Sequence, residues 1–307
     1  METKKVAGYY QVSPKENSYF ALRVVFSLLI YGGLGYSFYN ASKTGLPFTW
    51  MPFALILLYV AIFYFFFNGL FVGMIKTNSV KLSDKQLPEV YAIVKNLSRS
   101  LNLTNVPNTY LLQSGGTLNA FAKKFMGSNY VVIYSDLLEA FYEGNIDAVE
   151  FVVAHELGHI KRTHFLKSLL IFPSAIVPFL APAYNRACEL TCDNIGKFFN
   201  PKGAVDGLLI LAGGKRISRE INLQAYIEQQ YTDTGFWRWM FEKTTMNHPP
   251  LYKRLANVYD HTISRTAPST PKQKVNEQVP ETPQTSEPEK PTAPVSSESD
   301  YSRYMPN

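Results

Sequence analysis

The segment His155-Glu156-Leu157-Gly158-His159 combines two histidines and a glutamate at a spacing that suits a metal site. On a helix, residues i and i+4 lie on one face, so both imidazoles can occupy neighbouring corners of a tetrahedral Zn²⁺. Glu156 could then reach a zinc-activated water and take its proton. In a chain with 5 histidines and 24 acidic residues among 307, about 0.006 such patterns are expected by chance. We therefore favour a zinc site over a helix whose histidines only form hydrogen bonds.

A catalytic zinc usually has three protein ligands and one open position. Glu189 is the best third candidate, because it follows His159 by 30 residues in a helix predicted near 184–199. Taken alone, Glu189 would be interpreted as a surface carboxylate. Asp193 lies four residues later on the same face and could accept the other N–H of a ligating imidazole. We expect one zinc per chain, bound by His155, His159 and Glu189.

Three other potential ligands are predicted to be structural. The pattern predicts one helix from Asp147 to His164, which would turn His164 about 180° away from His155 and the metal. Cys188 and Cys192 flank the third candidate ligand and are interpreted as small buried packing residues. A thiolate ligand remains the alternative for these cysteines.

Two uncharged apolar runs precede this region, from Val24 to Ala41 and from Thr44 to Ile75. About 20 apolar residues span a bilayer as a helix. Tyr36, Tyr39 and Trp50 lie near the ends of the runs, where aromatic side chains favour the headgroup level. The sequence predicts a transmembrane helical hairpin rather than a buried core hairpin, and the lipid bilayer as a partner.

Basic residues predict the orientation of this hairpin. Those before the first run are Lys4, Lys5, Lys15 and Arg23, those after the second are Lys76, Lys81 and Lys85, and Lys43 alone lies between. Positive flanks stay in the cytoplasm, so we expect everything after Ile75 to be cytoplasmic. We expect a multi-pass protein of the cell inner membrane or an equivalent membrane, and two cysteines without a disulfide framework agree with a reducing compartment.

The region after the hairpin is predicted to be helix-dominated with a small sheet, an α+β fold. Ser83 and Asp84 are expected to cap a helix with apolar residues at helical spacing. Tyr110–Leu112 and Tyr130–Tyr134 are β-rich runs. Val149, Val152, Val153 and Ala154 are expected to form the buried side of the helix with the two histidines, and Gly158 to allow close approach of another backbone.

A second apolar stretch, Ser168 to Asn185, is uncharged and contains three prolines. It is long enough to cross a bilayer. However, a single crossing would place His159 and Glu189 on opposite sides of the membrane. We therefore expect a bent path, either a shallow hairpin, an interfacial segment or a segment packed into the protein.

Composition defines the domain boundaries. The last 46 residues hold 8 of the 19 prolines and many Ser, Thr, Glu and Gln, which predicts disorder. The predicted divisions are a cytoplasmic segment at 1–19, two transmembrane helices at 20–76, a globular domain at 77–261 and the tail at 262–307. The net charge of +6 is not organised in a basic stripe, so no nucleic-acid partner is expected.

Four motifs in order resemble the HtpX and CAAX-prenyl-endopeptidase family of membrane zinc metalloproteases, over roughly residues 77–260. They are Leu118-Asn119-Ala120-Phe121, the zinc helix at 152–159, the pattern R-x-x-E-x-x-x-D at 186–193, and His248-Pro249-Pro250 followed by Arg254. The resemblance implies a zincin-type domain in which His155, His159 and Glu189 bind zinc and Glu156 is the general base.

The resemblance also implies roles for residues that the local sequence does not single out. Asn119 and His248 would face the substrate backbone, with His248 donating a hydrogen bond to the oxyanion. Arg254 would hold a carboxylate near the site. From local sequence alone, these residues would be interpreted as a loop residue, a turn residue and a surface arginine.

These expectations together describe a membrane-anchored zinc endopeptidase of membrane or misfolded proteins. The alternative from another class is a non-catalytic membrane scaffold with a structural zinc and a partner-binding tail. A structural site has four closed protein ligands and no need for Glu156, whereas the sequence offers three clear ligands and the glutamate. The oligomeric state is not predicted by any of these patterns.

Overall fold

The structure is a computed structural model, and it describes residues 10–44, 50–113, 115, 119–232 and 234–259. Its helices are α1 (Pro14–Lys43), α2 (Met51–Asn78), α3 (Pro88–Ser100), α4 (Ser135–Tyr142), α5 (Ile146–Lys161), α6 (His164–Leu170), α7 (Leu180–Phe199), α8 (Pro201–Ile217), α9 (Leu223–Thr232), α10 (Phe236–Thr244) and α11 (Leu251–Val258). The strands are β1 (Ser79–Lys81), β2 (Asn108–Leu112), β3 (Ala120–Phe125) and β4 (Ser128–Tyr134). This confirms a helix-dominated fold with a small sheet.

Helices α1 and α2 are long and apolar enough to cross a membrane. Only 11% and 6% of the residues in their most apolar stretches are buried, so these stretches are not core helices. The end of α2 does pack on the sheet, where Val72 and Ile75 are buried. The prediction of two apolar N-terminal helices is confirmed. The predicted tail at 262–307 and the first residues of the predicted segment 1–19 lie outside the described residues.

The start of α1 differs from the rest of the helix because it is docked on the globular region. Glu16, Arg23 and Ser27 are buried on one side of α1. The Arg23 guanidinium donates to Ser174 Oγ at 2.8 Å and to the carbonyl of Ile171 at 3.1 Å. The hairpin is therefore attached to the globular region by buried polar contacts as well as by the chain itself.

The four strands form one sheet in the order β1-β2-β4-β3. Strand β2 runs parallel to β4, and β1 and β3 are antiparallel to their neighbours. The two predicted strands correspond to β2 and β4, whereas β1 and β3 were not predicted from the sequence. β3 lies at the edge of this sheet and follows directly after Asn119.

Helix α5 lies at the centre of the globular region. Val149, Val152, Val153 and Ala154 are all buried, as their spacing predicts. α5 packs against α7 and α8, and also contacts α3, α4 and β3. The two histidines are thus carried by a helix whose position is determined on several sides.

Two glycines allow α5 and α7 to approach closely. A Cβ atom at Gly158 would lie 3.1 Å from Ile195 Cδ1 and 3.3 Å from Cys192 Sγ. A Cβ atom at Gly196 would lie 2.5 Å from the ring of Phe151. The expectation that Gly158 permits close approach is confirmed, and this approach brings α7 beside the histidines.

The prediction of one continuous helix from Asp147 to His164 is wrong. α5 ends at Lys161, and Thr163 adopts a left-handed conformation with φ of 53°. A β-branched residue rarely adopts this conformation, so the helical pattern did not indicate the break. α6 begins afresh at His164, and this residue turns back toward α5 instead of away from it.

One further helix boundary differs from the sequence prediction. α3 begins at Pro88 after a left-handed Leu87, and Ser83 forms a bridge with Gln86 instead of a cap. The helix predicted near 184–199 corresponds to α7, and Pro201 begins α8, because proline is tolerated in the first turn of a helix.

The second apolar stretch does not form a single crossing helix. It comprises the last three residues of α6, a 3-10 helix (Phe172–Ile176) and the first six residues of α7. The apolar side chains that it exposes, with those of α6 before it, are Phe165, Leu166, Leu169, Leu170, Phe172, Ile176 and Phe179. The path is bent, as the position of the two ligands requires.

Candidate metal centre and substrate cleft

Donor atoms of three residues on α5 and α7 lie close together, and each histidine Nε2 has one oxygen of Glu189 beside it. His155 Nε2 and His159 Nε2 are 3.3 Å apart. Glu189 places Oε2 at 3.4 Å from His155 Nε2 and Oε1 at 3.3 Å from His159 Nε2. A tetrahedral ion with bonds of about 2.0–2.1 Å has edges of about 3.3–3.4 Å. The donor set and its spacing therefore fit tetrahedral zinc.

The electrostatics of this pocket favour a cation. Burial by itself would lower the pKa of His155, but Asp193 and Glu189 outweigh it and raise that pKa to about 10. For Glu189, burial would raise the carboxyl pKa, but the charge of His159 and hydrogen bonds from the neighbouring histidines hold it well below its ordinary value. The pocket thus stabilises positive charge where the three donor atoms meet.

Asp193 orients the first histidine. His155 Nδ1 lies 3.0 Å from Asp193 Oδ1, so the opposite ring nitrogen points at Glu189. Asp193 is fully buried and is held in turn by Arg254, whose Nε lies 2.8 Å from Oδ2 and whose terminal nitrogen lies 2.6 Å from Oδ1. This arrangement is the carboxylate–histidine support that metal ligands commonly have.

Arg254 therefore contacts a carboxylate of the protein. The resemblance implied that this residue holds a carboxylate near the site, and the structure identifies Asp193 as that carboxylate. Nε and one of the two terminal nitrogens of the buried guanidinium are engaged by Asp193. A substrate group would have to compete with this ion pair, so the geometry favours a positioning role over substrate binding.

His248, which follows Glu189 in the sequence, also contacts the carboxylate of Glu189. Its Nδ1 lies 2.9 Å from Glu189 Oε2, and 67% of its side chain is exposed. The hydrogen bond to Glu189 raises the pKa of His248. Because Nδ1 faces Glu189, the other ring nitrogen is the one available to a substrate.

Glu156 lies in the wall of the cavity next to the donor atoms and is 8% exposed. Burial raises the pKa of its carboxyl above the ordinary value. The carboxylate also accepts a hydrogen bond from the backbone of Ala122 on β3. A carboxylate with a raised pKa can both accept and return a proton near neutral pH.

A cavity of about 1070 Å³ contains these groups. One wall is the edge strand β3, whose residues 120–124 line the cavity together with the histidine face of α5. This volume lies at the upper end of small-molecule pockets, which span about 300–1,000 Å³. The cleft therefore has room for several residues of an extended peptide.

Asn119 lines the same cavity, outside the contact cluster around the donor atoms. Its side-chain oxygen accepts from the backbone N–H of Ala120 at 2.9 Å, and its carbonyl accepts from Tyr134 at 3.1 Å. These bonds fix the residue at the start of β3. Leu118, which precedes it in the motif, lies outside the described residues.

The sequence reasoning missed a second support, and its dismissal of His164 is wrong. His164 Nδ1 lies 3.0 Å from His159 Nδ1, because the chain turns back after Thr163. On its other side, His164 Nε2 lies 3.3 Å from Glu16 Oε1 of α1. An acidic residue at the start of an otherwise apolar helix was the available signal.

The two cysteines are free and buried thiols. Burial raises the pKa of Cys188 to about 12 and that of Cys192 well above its ordinary value. Cys192 Sγ lies 3.8 Å from His164 Nδ1, and with His159 these groups form a second set of neighbouring donor atoms. Protonated thiols are poor ligands, so the set with Glu189 is the better metal site.

Comparisons with known proteins show which proteins this chain resembles. A model of peptidase family M48 matches residues 84–178, which include the zinc-helix motif and end before Glu189. Plastoglobule-localized metallopeptidase 48 of Arabidopsis thaliana chloroplasts is 28% identical over 170 residues, or 49% of this chain and 48% of that protein. A homologue of the protease HtpX from Syntrophobacter fumaroxidans is 32% identical over 105 residues, or 34% of this chain and 35% of that protein.

The chain thus matches about half of the length of the first relative and about a third of the second. The crystal structure of S. mikatae Ste24p is similar with a TM-score of 0.43 and 14% identity, over 82% of this chain and 68% of that one. The sequence matches show that residues 84–178 are similar to peptidase family M48, and that part of this chain is similar to a homologue of the protease HtpX.

Proposed function

We propose that this protein is a membrane-anchored, zinc-dependent endopeptidase. The observation that carries the proposal is the convergence of His155, His159 and Glu189 at tetrahedral spacing, beside Glu156 in a peptide-sized cleft. The family supports a divalent metal, and the donor set of two imidazoles and one carboxylate is typical of a catalytic zinc with one open position.

Zinc held by these three residues would act as a Lewis acid on the scissile carbonyl and on water. Glu156 accepts the proton of the attacking water, which adds to the carbonyl carbon. The same carboxylate returns that proton to the leaving nitrogen as the C–N bond breaks. Its burial and its hydrogen bond to β3 hold it close to the metal ligands.

His248 and Asn119 would bind the substrate on either side of this chemistry. The ring nitrogen of His248 that does not face Glu189 donates a hydrogen bond to the developing oxyanion. β3 pairs with β4 on one side, and in the described sheet its other side is free to pair with an extended peptide. Asn119 lies at the beginning of this strand, where it can hold the peptide backbone.

The membrane position supports a substrate class. α1 and α2 cross the bilayer with the basic flanks in the cytoplasm, which places the catalytic domain there. The exposed apolar side chains of α6 and the 3-10 helix lie beside the docked start of α1. They would hold the cleft at the bilayer surface, where membrane proteins or misfolded proteins are accessible.

Metal analysis tests this function. Purified protein should contain one zinc per chain, and His159→Ala should lose most of it, because only two of three ligands remain. Removal of zinc by a chelator should abolish peptide cleavage, and added zinc should restore it. Full zinc in His159→Ala would overturn the ligand assignment, and cleavage by the zinc-free protein would overturn the proposed function.

A further inference from the structure

The two histidines of α5 are supported in two different ways. His155 Nδ1 contacts the carboxylate of Asp193 directly at 3.0 Å. His159 Nδ1 contacts another imidazole, that of His164, also at 3.0 Å. In this second arrangement the carboxylate, that of Glu16, contacts His164 and not the candidate ligand itself. Glu16 Oε1 lies 3.3 Å from His164 Nε2.

The proton positions in the hydrogen-bonded series from His159 through His164 to Glu16 can be assigned from its geometry. A ligand that binds zinc through Nε2 is neutral and carries its proton on Nδ1. His159 therefore donates to His164 Nδ1, which must be unprotonated. The remaining proton of neutral His164 lies on Nε2 and is donated to Glu16. Each ring nitrogen of His159 and His164 thus has one defined role, and both rings are fixed in one tautomer.

Both carboxylates are neutralised by an arginine. Arg254 contacts both oxygens of Asp193. Arg162 contacts Glu16 Oε1 through its terminal nitrogen at 2.8 Å and through Nε at 3.1 Å. Glu16 is fully buried, so an unpaired charge would be unfavourable there. The charge pattern of arginine, carboxylate and imidazole is therefore repeated on the two sides of the donor set.

Glu16 differs from Asp193 because it belongs to the first membrane helix. Just before this helix, the backbone N–H of Ser13 donates to Thr191 Oγ1 of α7 at 3.0 Å. α7 carries Glu189. The start of α1 is therefore in contact both with the helix of the third ligand and with the support of the second ligand.

We propose that Glu16 and His164 are positioning residues for the metal ligand His159, so that the first membrane helix completes the metal centre. This inference rests on the proposed zinc site and adds two residues and one helix to it. Supports of metal ligands typically change metal affinity by about 10–100-fold when they are removed.

The test measures zinc affinity of the full-length protein in detergent micelles by competition with a chromophoric chelator. His164→Phe keeps a ring but has no acceptor for His159, so affinity should fall by about 10–100-fold. His164→Asn offers an oxygen near the position of Nδ1 and should keep more of the affinity. Glu16→Gln should lower zinc affinity in the wild-type background. In the His164→Phe background it should lower zinc affinity little further, because both residues act through the same series of hydrogen bonds to His159.

Arg23→Gln is the matched control on the same helix. It removes the contacts of α1 with Ser174 and Ile171 without touching the chain from Glu16 to His159. Its zinc affinity per folded molecule should equal that of wild type. The visible absorption of the Co²⁺-substituted protein should change in His164→Phe and stay unchanged in Arg23→Gln.

Three results would contradict the inference in distinguishable ways. Wild-type affinity in both His164→Phe and Glu16→Gln, with one zinc in wild type, would overturn the positioning role alone. An equal loss in Arg23→Gln would show that docking of α1 is responsible. Absence of zinc from wild type would overturn the proposed function together with this inference. If Glu16→Gln does not fold, the two His164 variants still decide the question.

Discussion

Single residues in this protein act through their neighbours as much as by themselves. The imidazole of His155 is oriented by Asp193, and Asp193 is held by Arg254. Burial by itself would lower the pKa of Arg254, but three carboxylates of the site, with Asp193 first, outweigh it and raise that pKa. The candidate metal centre is therefore a connected network of buried charges, in which removal of one member leaves another without its partner.

Asp193→Asn should weaken both metal binding and folding. The amide keeps an acceptor for His155 but leaves the buried Arg254 without an anion, which typically costs about 3–5 kcal/mol. Zinc affinity should fall by about 10–100-fold. Asp84→Asn is the control, because its ion pair with Lys95 is exposed and such pairs contribute about 0–1 kcal/mol. Denaturant titration and chelator competition measure both effects, and equal behaviour of the two variants would contradict the network.

The sequence indicated the three candidate ligands, which the fold brings together, but only part of the set of residues that contact them. Asp193 could be predicted because it lies one helical turn after Glu189. His164 was placed on the wrong side because a helical pattern carries no information about a left-handed Thr163. Glu16 lies 139 residues before His155, and no local pattern connects residues at that separation.

At the scale of helices and strands, the site depends on the distance between α5 and α7. Gly158 and Gly196 remove the side chains that would separate the two helices. α7 then places Glu189 and Asp193 on either side of His155, at 3.4 and 3.0 Å. The packing of these two helices thus determines the geometry of the donor set.

Gly196→Ala should destabilise the protein and weaken its metal site. Alanine is favoured over glycine in a helix by about 1 kcal/mol, but overpacking typically costs about 1–3 kcal/mol. A methyl group at this position would lie 2.5 Å from the ring of Phe151. Gly73→Ala is the control, because its Cβ meets nothing within 4 Å. Thermal unfolding and zinc affinity report the result, and a Gly196→Ala protein as stable as Gly73→Ala would contradict this role.

The longer elements could be predicted from the sequence, and the short ones could not. The apolar runs, the central helix and the strands β2 and β4 follow from composition and spacing. β1 has three residues and β3 contains two lysines, so neither has the alternation that identifies a strand. β3 is a strand because it pairs with β4, which is a tertiary effect.

The whole molecule combines a globular region that resembles a metallopeptidase with an apolar hairpin whose most apolar stretches are largely exposed. The hairpin is joined to the domain by the buried contacts of Arg23 and Glu16. Exposed apolar side chains continue from the hairpin onto α6 and the 3-10 helix. Exposed apolar patches of this kind mark contact surfaces, and under the proposed function this one would face lipid.

A topology experiment tests the proposed orientation. A reporter fused after Asp260 should behave as cytoplasmic, and one inserted at Lys43 should behave as exported, because Lys and Arg flank the outer ends of the hairpin. Paired reporters that are active on opposite sides of the membrane measure this directly. The reverse pattern would move the proposed active site across the membrane and leave its chemistry unchanged.

The most direct test of the central claim compares zinc content and peptide cleavage in Glu156→Gln and Glu189→Gln. Glu156→Gln keeps the size of the side chain and removes the base, so zinc should stay near one per chain while cleavage falls by at least about 10²-fold. Glu189→Gln removes a charged ligand, so zinc and cleavage should fall together. Normal cleavage by Glu156→Gln, or loss of zinc from Glu156→Gln with retention in Glu189→Gln, would contradict the account.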